Sequence, residues 1–111
     1  MRGLELALGS SMRITVSSGD IQLADETRTY AEYRLFTSVA RHEGLVRSVH
    51  VAFRRDAAAH RPFLCTVAVD LGRSGCIKTQ ARAAHPVAAI DRAAGRTAWL
   101  LGQGRMRRVP A

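Results

Sequence analysis

From residue 12 onward the chain alternates between apolar and polar side chains, and the period of that alternation changes along its length. Met12-Arg13-Ile14-Thr15-Val16-Ser17 alternates strictly, which predicts a strand with one buried face. Ser18-Gly19-Asp20 has the composition of a turn. From about Ala24 to His42 the period becomes helical, with Asp25 and Glu26 in the first turn, where the helix dipole favours negative charge. Two stripes run along this helix. One holds Ala31, Leu35 and Val39, the other Tyr30, Tyr33, Phe36 and Ala40, and the pattern leaves open which of them meets the sheet. Gly44 suits the stop after the last turn.

Val46 to Arg55 reads as a second strand, with Val49, Val51 and Phe53 on one side and Ser48, His50, Ala52 and Arg54 on the other. A loop from Asp56 to Pro62 follows. Phe63, Cys65, Val67, Val69 and Leu71 then alternate with Leu64, Thr66, Ala68 and Asp70 in a third strand. Gly72-Arg73-Ser74-Gly75 reads as a hairpin turn. A fourth strand, Cys76 to Arg82, sets Ile77, Thr79 and Ala81 opposite Lys78, Gln80 and Arg82. Pro86 fits the first position of a last helix, whose apolar face is Val87, Ile90, Ala94, Ala98 and Leu101. Gly102 and Gly104 are expected to end it.

The order β-α-β-β-β-α predicts an α+β fold: a four-stranded sheet with two helices packed on one face and the other face left polar. Residues 1–11 read as a flexible extension, residues 12–105 as one domain and residues 106–111 as a basic tail. A chain of 111 residues can bury one core of this kind and not two.

Charge adds what the pattern cannot. There are 17 Lys and Arg against 9 Asp and Glu, a net +8. So positive a small body attracts polyanions, nucleic acid first and an anionic membrane surface second. A plain soluble protein can also be this basic. All the cations but Lys78 are arginine, whose planar fork suits phosphate, although an Arg-rich codon bias produces the same excess. Two cysteines are too few for a secreted disulfide scaffold, no apolar run is long enough to cross a bilayer, and the N-terminus lacks a convincing signal peptide. These features point to the cytoplasm.

The stretch His85-Pro86-Val87-Ala88-Ala89-Ile90-Asp91-Arg92-Ala93-Ala94-Gly95-Arg96 resembles the second-helix signature of the ribosome hibernation-promoting factors and ribosome-associated translation inhibitors, the sigma-54 modulation family. Asp20 to Leu23, Arg34 to Val51 and Phe63 to Val69 resemble other parts of that family. The resemblance spans about residues 12–105 and suggests a short form without a dimerising domain. It implies a protein that binds the small ribosomal subunit and its rRNA between head and body, and there occludes the path of mRNA and tRNA. Arg stands here where relatives carry Lys, and His85 replaces their acidic or hydroxylated cap.

The residues themselves place candidate RNA contacts on both helices and the fourth strand. Arg92 and Arg96 are four apart and share a helix face, which Arg105, Arg107 and Arg108 extend. Arg28, Arg34 and Arg41 line the first helix, and Lys78 and Arg82 the polar side of the fourth strand. Such cations neutralise phosphates and release counterions. Tyr30, Tyr33 and Phe36 have the spacing of packing aromatics, although they also suit base stacking. Cys65, Cys76, His50, His60 and His85 match no closed zinc set, and Cys65 belongs to the apolar side of its strand. No nucleophile-base pair and no phosphate loop is evident. The expectation is therefore a monomeric, non-enzymatic protein without cofactor, metal or small-molecule substrate. The alternatives are a module for other structured RNA, or a protein-interaction regulator without RNA.

Overall fold

Strict alternation makes the strands, and the strands set the face on which the helices must lie. The structure, a computed structural model, describes residues 12–19 and 21–107, the last four as main chain only. The expected extension (1–11), Asp20 and residues 108–111 lie outside the described residues. Strand β1 (Arg13–Ser17) leads into helix α1 (Asp25–Val39), which a single 3₁₀ turn extends to His42. Strands β2 (Ser48–Arg55), β3 (Phe63–Asp70) and β4 (Cys76–Ala83) follow, then helix α2 (Pro86–Arg107).

The sheet order is β1-β2-β3-β4. β1 pairs with β2 in parallel, which requires a crossover, and α1 supplies it. The other two pairs are antiparallel hairpins. The loop after β2 closes with the Asp56 N–H donating to the Pro62 carbonyl at 2.8 Å. The turn after β3 depends on Gly72, whose φ is +64° and whose Cβ position lies 2.8 Å from Arg47 Cδ. A side chain there would meet both backbone strain and Arg47.

Both helices cover one sheet face, as the pattern predicts. Ile14, Val49, Val51, Phe53, Cys65, Val67, Val69, Ala81 and Ala83 point inward. Against them pack Ala31, Leu35 and Val39 of α1, and Ala89, Ile90, Ala93, Ala94, Thr97 and Leu101 of α2. Of the two possible α1 stripes, the aliphatic one is therefore the buried one. Tyr30 and Phe36 pack at its margin, whereas Tyr33 is 60% exposed and is not a packing aromatic.

Helix α2 departs from expectation in two ways. Its buried face is turned by roughly 60° from the expected one, at about 100° per residue. Val87 is exposed, and Ala89, Ala93 and Thr97 are buried. The physical reason is that α2 packs over β3 and β4 and also beside α1. The small side chains of Ala81, Ala83, Ala89 and Ala93 let it lie close to the edge strand. The helix also continues through Gly102 and Gly104 to Arg107, so the expected stop and the start of the tail fall inside it. Glycine ends a helix by adopting a left-handed conformation, and Gly102 does not adopt one.

Cys65 and Cys76 are both free thiols. Cys65 faces the core and Cys76 the open side of the sheet, so no bridge joins them. Burial pushes the Cys65 thiol up to about 12.

Candidate nucleic-acid interface

The two helices differ in how they use their cations. On α1, Arg28 is half-buried and serves the fold: its guanidinium donates to the Val16 carbonyl at 2.6 Å and to Ser18 Oγ at 3.3 Å, closing the end of β1. Arg34 donates to Asp91 Oδ1 at 3.2 Å and to Ser38 Oγ at 2.9 Å. The same Asp91 oxygen accepts the Tyr30 hydroxyl at 2.6 Å, and that bond holds the Tyr30 phenol above its ordinary pKa. Asp91 thus ties α2 to α1. Arg41 is exposed, but it lies just before β2 begins, at the opposite end of the sheet from Arg82 and Arg92.

The cations of α2 and β4 converge. α2 runs back along β4, so Arg92 lies beside Arg82 and Arg96 beside Gln80. Arg92 Nη1 donates to the Arg82 carbonyl at 3.3 Å, and Arg96 Nη1 donates to the Gln80 carbonyl. β4 is an edge strand, so these carbonyls have no neighbouring strand to bond. Each arginine covers one of them with part of its fork and keeps the rest of it in solvent. Lys78 and Trp99 continue this seam. All four cations, Lys78, Arg82, Arg92 and Arg96, are exposed. The side chains of Arg105, Arg107 and Arg108 lie outside the described residues.

Three further arginines gather where the seam begins. Arg54 and Arg82 flank Leu64 across the open face of the sheet, in register on neighbouring strands. Arg54, Arg55 and Arg82 line a pocket of about 300 Å³ with Asp56. Arg55 stacks over the Phe63 ring at 5.7 Å, and Arg82 Nη1 donates to the Arg61 carbonyl at 3.4 Å. Arg54, Arg55 and Arg61 were not among the sequence candidates. Strand pairing would have brought the first two forward, because β2 and β4 both end beside the start of β3.

Exposed cations thus line the β4–α2 seam, and a second set, Arg13, Arg41, Arg47 and Arg73, stands at the other end of the sheet. Asp25 and Glu26 stand together with the exposed Tyr33 on the first turns of α1. A polyanion is attracted to the seam and repelled by the acidic first turns of α1.

No protein-family model matches the chain, and no curated protein matches it. Solved structures do. A ribosomal subunit interface protein from Coxiella burnetii superposes with a TM-score of 0.72 at 15% identity, over 86% of this chain and 99% of that one. The N-terminal domain of Thermus thermophilus Protein Y superposes with a TM-score of 0.63 at 23% identity, over 85% of this chain and 96% of that one. The chain thus has the fold of these proteins, the fold its second-helix sequence implies.

Proposed function

We propose that this protein binds the ribosome, and that it does so through ribosomal RNA of the small subunit lying along the β4–α2 seam. The observation that carries the proposal is the row of exposed cations Arg82, Arg92, Arg96 and Lys78 on a fold shared with a ribosomal subunit interface protein. Structured RNA is recognised largely by shape and backbone, so a rigid cationic ridge suffices without a base-reading code. Bound between head and body of the subunit, a domain of this size occupies space that mRNA and tRNA need. The protein acts by steric occlusion, as a cytoplasmic hibernation factor, and no step of that action requires catalysis or a cofactor.

In a purified translation system, added protein is expected to reduce synthesis, and mRNA and tRNA in excess to relieve the block. Arg92→Glu with Arg96→Glu should abolish inhibition while the melting temperature stays near that of the parent. Unchanged inhibition by the folded double variant would remove the seam from the interface. Equal affinity for a plain RNA duplex and for ribosomes would favour a general structured-RNA module instead.

A further inference from the structure

Trp99 is 63% exposed, the largest apolar side chain that the described residues leave in solvent. One exposed apolar residue means little by itself. The setting of this one is specific. At 100° per residue, positions 92, 96 and 99 fall within about 60° of one another on α2, so Trp99 shares the face of Arg92 and Arg96. With Leu100, Arg96, Lys78, Thr79 and Gln80 it lines a groove of about 570 Å³ between the helix and the edge strand. That is within the roughly 300–1,000 Å³ of small-ligand sites. Two cations border the indole, and no acidic residue lines the groove.

We propose that this groove takes one unpaired base of RNA, stacked on Trp99, with Lys78 and Arg96 holding the flanking phosphates. The inference rests on the RNA-binding reading above and gives that seam a stacking platform. An aromatic face beside cations is the arrangement that binds single strands, because every base offers a π-face and every linkage a negative charge. An acidic protein segment would satisfy the cations and leave the indole face without a planar partner. Tyr33 is the internal contrast: it is as exposed as Trp99, yet it stands beside Asp25 and Glu26, which repel phosphate.

The chain contains one tryptophan, so indole emission reports on this groove alone. The experiment titrates the full chain with labelled oligouridylate of about a dozen nucleotides, and with a blunt RNA duplex of equal length. Label anisotropy measures binding and indole emission measures stacking. The single strand is expected to quench emission in step with binding, and the duplex to bind without quenching. Trp99→Ala should weaken single-strand binding about 5- to 150-fold, Trp99→Phe should weaken it less, and Tyr33→Ala should leave it unchanged. Saturated anisotropy with unmoved emission would overturn the proposal, as would equal binding by the folded Trp99→Ala variant. Emission that responds to ribosomal proteins stripped of RNA, and not to oligouridylate, would assign the groove to a protein and overturn it too. Ribosome binding with a silent indole refutes the stacking site alone. Loss of binding to ribosomes and oligonucleotides alike refutes the wider reading.

Discussion

Thr79 and Thr97 face each other inside the core, where β4 meets α2 and the cationic seam is held together. Their hydroxyl oxygens are 2.9 Å apart, Thr97 is fully buried and Thr79 nearly so. Thr97 Oγ1 also donates to the Ala93 carbonyl at 2.8 Å. A hydroxyl has one hydrogen, so Thr79 must be the donor to Thr97. The two valine substitutions are therefore unequal. Thr97→Val leaves the Thr79 hydroxyl as a buried donor without its acceptor, at a cost of about 1–3 kcal/mol. Thr79→Val removes a donor from an oxygen that keeps its bond to Ala93, at a cost of about 1 kcal/mol or less. Replacing both leaves two methyls of nearly the same shape and no orphan, so the double variant should be more stable than Thr97→Val alone. Urea unfolding of the four proteins measures this, provided the slope m is unchanged. Additive losses, or a larger loss for Thr79→Val than for Thr97→Val, would refute the assigned direction of the bond.

Three further outcomes follow from the same structure. Gly95→Ala should raise stability by about 1 kcal/mol in the same urea assay, because Gly95 is helical and a Cβ there meets nothing within 4 Å. Cys76 is exposed and should react with a thiol reagent in the native protein, while Cys65 should react only on unfolding. Stability should also fall with rising pH between about 9 and 12: the buried Cys65 keeps its proton in the folded state while the unfolded chain loses it. The slope from this group approaches about 1.4 kcal/mol per pH unit. Tyr30 adds to the loss in the same direction, and Cys65→Val, followed by circular dichroism across that range, isolates the cysteine part.

The fold was legible because strand alternation and helical stripes were each long enough to survive local exceptions. The site was legible only in part. Arg92 and Arg96 could be paired from spacing alone, since i and i+4 share a helix face in any fold. Arg28 and Arg34 look the same in sequence, but their guanidiniums are engaged with Val16, Ser18 and Asp91, contacts that only packing brings about. Arg54 and Arg55 required the strand register, and Arg61 a loop closure. Thr97 hid the true buried face of α2, because a hydroxyl reads as polar until its partners are known. Trp99 escaped notice because it lies opposite the apolar stripe, where position alone gives no signal.

Co-sedimentation with vacant ribosomes across a salt series tests the central claim most directly. The protein should pellet with ribosomes at low salt and be released as salt rises. The slope of log affinity against log salt should be about −3, from roughly 0.7–0.9 for each of the four seam cations. Arg92→Ala with Arg96→Ala should lower its magnitude to about half. Protein that stays at the top of a low-salt gradient, or binding indifferent to salt, would contradict the account.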